Sequence, residues 1–265
     1  MTVQQFYDNI IFGERELAIS VIIITYNEEE NIKDCLESVK WADEIVVVDS
    51  ESNDKTVEIC KEYTDKIIQR KWEGYGLQKQ FALEKATSEW VLSIDADERV
   101  TAQLKDEILQ SQLNKDGYYI PFKLYWLGKE LRYGGCGHEK HIRLFKRQKA
   151  KFTQALVHED LFIDGEIGYF KNYILHFSYK DIRDYFERFN QYSGIEALKK
   201  FNRGEKVIFT LQILLSCIDF ISRYIFKLGF LDGTQGFLWA IFSSFHRLVK
   251  YAKLWEMTHS KIQNP

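Results

Sequence analysis

Residues 18–25 (AISVIIIT) carry no charge and are mostly β-branched, and no other segment constrains the fold as strongly. A run this short and this apolar fits a strand covered on both faces, the situation of parallel sheets flanked by helices. The pattern then recurs. Residues 28–41 set Ile32, Cys35, Leu36 and Val39 on one helical stripe, and Asn27 followed by Glu30 has capping-box spacing at its start. Residues 44–49 (EIVVVD), 66–69 and 90–94 read as further strands, with helices over 55–63 and 77–86 between them. Short buried strands alternating with helices predict an α/β, Rossmann-like, mostly parallel sheet with right-handed crossovers.

Ligands of such sheets lie beyond the carboxyl ends of the strands. Those ends carry Thr25-Tyr26-Asn27, then Asp49 to Asp54 (DSESND), then Asp95-Ala96-Asp97-Glu98. No GxGxxG and no GKS or GKT follows any of these strands, which argues against a dinucleotide fold or a P-loop. A phosphorylated ligand would need a divalent cation to mask the acidic tips. Asp95 and Asp97 suit that task, because alternate carboxylates at a turn offer hard oxygens to Mg²⁺ or Mn²⁺. The plainer alternative is that DADE turns the chain and caps the helix after Thr101. Asn27 and Asp54 likewise have an alternative as helix caps, and Lys79 as an exposed helical lysine.

The chain of 265 residues is 45% hydrophobic and 28% charged, too apolar for disorder, and its net charge of −3 gives no case for nucleic-acid binding. That balance conceals a split. Residues 201–265 contain eight Lys/Arg against four Asp/Glu, or +4, which leaves −7 for residues 1–200. Cys35, Cys60, Cys136 and Cys217 are scattered, and residues 1–18 lack a basic segment followed by an apolar core, so a reducing cytoplasmic setting is expected. Cys136, His138 and His141 lack a clear fourth ligand and are not read as a zinc site.

In the basic tail, residues 207–230 resemble a membrane span but contain Gln212, Asp219, Arg223 and Lys227 on one helical face. Leu231-Asp232-Gly233 reads as a turn. Residues 237–255 repeat the design, with His246, Arg247, Lys250 and Lys253 opposing Phe237, Ile241, Phe245 and Leu248. Two amphipathic helices with cationic faces predict contact with an anionic membrane surface. A helical hairpin packed on the catalytic domain, or a homo-oligomer through these helices, is the alternative.

Four segments in order, SVIIITYNEEENI, VVVDSESNDKT, WEGYGLQKQFAL and WVLSIDADE, resemble the GT-A domain of family 2 inverting glycosyltransferases. RLFKR, VHED, LHFSYKD and GFLDGTQGF extend the resemblance over nearly the whole chain, toward the branch that adds β-1,4-linked glucose to inner-core heptose of lipopolysaccharide. It implies a catalytic domain over residues 1–200, with residues 201–265 as a helical appendage. It also implies a nucleotide-sugar donor, most simply UDP-glucose, and a lipid-linked saccharide acceptor, so the protein would sit peripherally on the inner face of the cytoplasmic membrane. Thr25 and Asn27 would border base and ribose, Asp49 would bond the uracil or ribose, and Asp95 would face ribose or sugar. Asp97 would hold the metal, and Lys79 would lie near the diphosphate.

Inverting transfer requires a base opposite the leaving nucleotide. The resemblance puts it in Val157-His158-Glu159-Asp160, at Glu159 or alternatively at Asp160. His176 matches a C-terminal metal-ligating histidine, or is structural. Gly134, Gly135 and Gly137 read as a flexible loop closing over the sugar, with Arg143 and Lys146 meeting the diphosphate or an anionic acceptor. A sugar-phosphate nucleotidyltransferase would need a Gly-rich basic loop where TYNEEE stands, and a non-catalytic membrane scaffold would have no use for the acidic set.

Overall fold

The computed structural model describes residues 17–137, 139–153 and 161–259. They form two compact units that interleave along the chain. The first runs to Ile120 and resumes over His141–Tyr173; the second takes Pro121–Lys140 and the chain from Ile174 onward.

The first unit contains the alternating elements. They are β1 (Ile19–Thr25), α1 (Ile32–Val39), β2 (Glu44–Asp49), α2 (Thr56–Cys60), β3 (Ile67–Gln69), α3 (Tyr75–Lys85) and β4 (Trp90–Asp95). Next come β5 (Glu98–Val100), α4 (Ala102–Gln110) and the start of β6 (Gly117–Trp126), and later β8 (Lys140–Lys146). The sheet order is β3-β2-β1-β4-β8-β6. All seven residues of β1 are buried, and it runs parallel to β2 on one side and β4 on the other. β8 is antiparallel to β4, pairing Leu144 with Leu92, so the sheet is mixed.

Ile22, Ile24, Val46, Val48 and Val91 pack with Ala82, Leu83 and Ala86 around α3, together with Phe145, Phe152 and Ile163. The α1 stripe of Ile32, Cys35, Leu36 and Val39 is fully buried, as its spacing predicts. Each such aliphatic side chain contributes about 1.5–3 kcal/mol by leaving water. The start of α1 differs from expectation. Asn27 adopts a left-handed backbone (φ 52°) and does not cap the helix, which begins only at Ile32. Its polar groups are taken by the loop after β2, as described below.

In the second unit, the later half of β6 pairs parallel with β9 (Ile174–Phe177) and antiparallel with β7 (Lys129–Leu131). Three helices follow: α5 (Ile182–Asn202), α6 (Phe209–Ile221), prolonged by a π-helical turn over Ser222–Phe226, and α7 (Gly233–His259). Asp181 caps α5 by accepting the Asp184 N–H at 2.8 Å. Much of the aromatic content serves this core. The Trp126 ring lies 5.8 Å from Tyr185, 5.5 Å from Trp239 and 6.0 Å from Phe242, within a cluster that includes Phe189.

Helices form over both of the predicted tail segments, but several of their cationic side chains turn inward, Lys227 being an exposed exception. Lys250 pairs with Glu196 at 2.8 Å, and Lys253 donates to the Asn190 carbonyl at 2.7 Å and to Ser193 Oγ at 2.9 Å. Arg223 bonds Asp219 at 3.0 Å and the Gly134 carbonyl at 3.4 Å. The reason is α5, which supplies the acceptors Asn190, Ser193 and Glu196 alongside α7.

The loop of Gly134, Gly135 and Gly137 is also braced rather than loose. The buried Asp232 carboxylate accepts the N–H groups of Arg132 and Tyr133, both at 2.9 Å, and the Gly134 N–H donates to the Lys227 carbonyl at 2.9 Å. Close approach makes Gly236 necessary here, because a Cβ at that position would lie 1.9 Å from the Gly229 carbonyl oxygen. Gly236→Ala is expected to cost about 1–3 kcal/mol. It should appear as a lower urea midpoint with an unchanged slope; an unaltered midpoint would contradict the packing of α7 on the 229–232 turn.

Candidate functional site

The site is built by strand register. Pairing of β1 with its two neighbours sets Thr25 beside Asp49 and Ile24 beside Asp95, so three carboxyl ends finish at one level of the first unit. The loops beyond them are then fastened together. Asn27 donates its N–H to Ser52 Oγ at 2.8 Å and accepts the Asn53 N–H through Oδ1 at 2.9 Å. Glu28 N–H donates to Thr56 Oγ1 at 2.8 Å, and Glu29 N–H to Asp54 at 3.1 Å. Asp54 accepts the Thr56 N–H at the start of α2 at 3.0 Å, and through the Glu29 N–H it also ties that start to the loop after β1.

Asp49 is fully buried and organises the second loop. Its carboxylate accepts the Ser52 N–H at 2.9 Å, the Ser52 hydroxyl at 2.5 Å and the Gln69 amide at 3.1 Å. The expected contact of Asp49 with base or ribose is therefore accompanied by a structural duty that the sequence reading did not include.

Asp95 lies between two cations. Lys79 Nζ, on α3 and only 3% exposed, is 2.9 Å from its Oδ1; Arg143 on β8 is 3.0 Å from its Oδ2. Arg143 also bonds the buried Glu98 at 2.5 Å, and Glu98 in turn accepts the Asp95 N–H at 2.9 Å. Burial opposes ionisation of Asp95, but the Lys79 ammonium and the Arg143 guanidinium outweigh it and hold the carboxyl well below the usual carboxylate range. Lys79 is thus no exposed helical lysine. Thr101, and not the DADE turn, caps α4, through its Oγ1 and the Leu104 N–H at 3.2 Å.

Asp97 is half-buried in the turn between β4 and β5. Among the described residues no three His, Cys, Asp or Glu groups converge closely enough to cage an ion. A Mg²⁺ or Mn²⁺ site made of one or two carboxylates plus substrate phosphate fits that arrangement, whereas a closed all-protein site does not. Two polar atoms point the same way: Thr25 Oγ1 and Gln78 Oε1 are buried without a hydrogen-bond partner, although the Gln78 amide nitrogen bonds Ser50 Oγ at 2.9 Å. Such atoms are normally satisfied by protein, water or ligand.

His176 belongs to the second unit, where its ring stands edge-on to Phe122 at 6.2 Å and its Nε2 lies 3.1 Å from Ser178 Oγ. Desolvation raises the nearby Glu139 carboxyl, with His176 and Arg223 pulling it down. Glu159 and Asp160, the two candidates for the base, and His138 lie outside the described residues.

Sequence reasoning missed Glu98, Gln78 and Ser52. Glu98 had a signal available only in its position, since it directly follows the DxD.

Because the folded pKa of Asp95 is depressed, its contribution to stability is complete above the unfolded value of about 3.9 and is lost as pH falls through the lower folded value. Lys79→Met should cost about 3 kcal/mol at neutral pH by leaving the carboxylate with one cation. It should also flatten the fall of the urea midpoint below about pH 4, since the folded and unfolded pKa values draw together. An identical acid profile in the variant would contradict the role of Lys79 as counter-ion.

The model of the Glycosyl transferase family 2 matches residues 20–170. An uncharacterized glycosyltransferase of Rickettsia typhi is 32% identical over 256 residues, covering 91% of this chain and 87% of that protein. The lipopolysaccharide core biosynthesis glycosyltransferase LpsC of Rhizobium meliloti is 29% identical over 251 residues, 91% of this chain and 93% of the relative. Among solved structures, residues 1–349 of S. aureus TarS in complex with UDP-GlcNAc align over 93% of each chain, with 17% identity and a TM-score of 0.46.

Proposed function

The chain belongs to glycosyltransferase family 2, and from that premise we propose that it transfers glucose from UDP-glucose to a membrane-linked saccharide, with inversion at the anomeric carbon. The observation that carries the reading is the register bringing Thr25, Asp49 and Asp95 to one edge, with Asp97 in the turn that follows. The lipopolysaccharide core assignment of the LpsC relative, alike over nearly its full length, supports inner-core heptose as acceptor. Another surface-polysaccharide or polyprenyl-linked acceptor is the second choice.

In this reading Thr25 and Asn27 border the nucleoside, and the buried Thr25 hydroxyl gains a partner when the donor enters. Asp49 contributes through the loop it organises. Asp97 holds a Mg²⁺ or Mn²⁺ ion, which when bound neutralises charge on the leaving diphosphate. Lys79 and Arg143 keep Asp95 ionised and oriented toward ribose or sugar, and Arg143 adds positive potential near the diphosphate. Glu159, or else Asp160, takes the proton from the acceptor hydroxyl. The oxygen then bonds the anomeric carbon as the bond to the β-phosphate breaks, and UDP departs. His176 is retained as a candidate metal ligand.

The working division is catalysis by residues 1–200 and attachment by residues 201–265, at the inner face of the cytoplasmic membrane. Contact of the tail with an anionic membrane surface belongs to this reading, and a homo-oligomer formed through the tail helices is its alternative.

The test is turnover of UDP-glucose with membrane extract as acceptor and Mn²⁺ present. Asp97→Ala should lower the rate by about 10²–10³ while leaving the urea midpoint unchanged. Glu159→Gln should keep UDP affinity in calorimetry and lose transfer by about 10²–10⁴. Full activity of Asp97→Ala would remove the metal assignment, and full activity of Glu159→Gln would move the base to Asp160.

A further inference from the structure

Helix α6 is amphipathic in the reverse sense to a helix on a soluble protein. Its polar side chains Gln212, Ser216, Asp219 and Arg223, spaced four, three and four apart, turn into the second unit. Gln212 and Ser216 are buried there, and Gln212 meets Arg247 at 3.5 Å. The opposite stripe of Leu211, Leu214, Ile218, Ile221 and Ile225 stands between 44% and 57% exposed. Phe226, Leu228, Phe230 and Leu231 continue the exposed apolar surface past the helix end. These nine large side chains, most of them about half exposed, make a surface on the order of 1,000 Å², against a few hundred for the largest patch of an ordinary monomer.

We infer that this side of α6 is a lipid-contact surface, seated lengthwise in the bilayer interface and held chiefly by burial of apolar groups rather than by attraction to anionic headgroups. The inference builds on the reading above that the acceptor is membrane-linked, and it replaces cationic faces with an apolar one as the means of attachment.

Three observations select lipid as the occupant. Past the exposed Thr210 of its first turn, the outward stripe offers only aliphatic side chains and Cys217, whereas protein interfaces carry about one hydrogen bond per 100–200 Å²; a helix against acyl chains needs none, its backbone being satisfied internally. Charge is confined to the ends. Arg203 and Lys206 are exposed before α6 and Lys227 after it, while Asp219 and Arg223 in between bond each other on the inner side. Long cationic side chains at the ends of an apolar segment reach headgroups without leaving the interface. Finally, Phe209–Phe226 is apolar enough to cross a membrane and has the eighteen residues to do so, but its inner side is committed to α7 and to the Gly134 carbonyl. One side only is left for lipid, which fits lying flat and excludes spanning.

The full chain should therefore float with neutral phosphatidylcholine vesicles, and raising NaCl from about 0.1 to about 0.5 M should weaken binding by less than about threefold. Adding phosphatidylglycerol should strengthen it only modestly. Leu214→Asp with Ile218→Asp, on exposed positions, should reduce flotation at least about tenfold with an unchanged urea midpoint. Cys217, exposed on α6 while the other three cysteines are buried, allows a polarity-sensitive fluorophore to be attached without mutation. Its emission should shift to the blue when neutral vesicles are added.

No flotation with neutral vesicles, binding abolished by salt, or an unshifted label would overturn the inference. So would a solution dimer that the paired aspartates dissociate, since a second copy would then cover the surface. UDP titrated into the same preparation keeps the two readings apart: UDP binding without flotation refutes the lipid surface alone, and flotation without UDP binding refutes the transferase reading alone.

Discussion

Placing the Asp95 carboxylate between Lys79 and Arg143 ties a helix and the parallel strand that follows it to an antiparallel strand 48 positions on. None of the charges could be buried alone, since an isolated ion in an apolar setting loses far more hydration than packing returns. Asp95, 2.9 Å away, offsets the charge of the almost inaccessible Lys79, and Arg143 and the Asp95 N–H do the same for the buried Glu98. With Asp95 and Glu98 offset by two cations, the edge of the sheet carries less negative potential than its sequence suggests, and Asp97 stands beside a nearly neutral cluster.

The alternating strands and helices of the first unit were legible in the sequence because burial on both faces leaves uninterrupted apolar runs and helix burial leaves a stripe at period 3.6. The α1 stripe is the clearest case. What the sequence hid were pairings between distant segments. Asn27 and Glu30 have capping spacing, yet Asn27 is drawn into a left-handed turn by Ser52 and Asn53, which a local pattern cannot register. The strand-end acids were visible as a set, but nothing in GYGLQKQ announces that Lys79 is buried against one of them. Glu98 was visible as one acid of the DADE tip, but its pairing with Arg143, 45 positions on, leaves no local trace.

The tail shows how charge placement misleads when the partner is unknown. Lysines on one face of an amphipathic helix usually mean that this face meets water or headgroups. Here α5 supplies Glu196, Asn190 and Ser193 to α7, and Lys250 and Lys253 point inward. The aromatic residues follow the same logic: Trp126, Tyr185, Trp239 and Phe242 would suit a membrane interface, but they fill a core. Family membership accounts for the site better than for this region, because the family match covers residues 20–170.

Asp232 bonds the backbone N–H groups of Arg132 and Tyr133, partners 100 and 99 positions earlier in the chain. During synthesis at about 5–20 residues per second, the 132–137 segment would leave the ribosome several seconds before its carboxylate partner is made. Until then two N–H donors must rely on water, and the glycines beside them have no brace. The parallel pairings of β1 with β2 and β4 involve only residues 19–95. The order of manufacture thus lets those parallel strands meet early, while the 132–137 loop acquires its brace only once Asp232 has emerged.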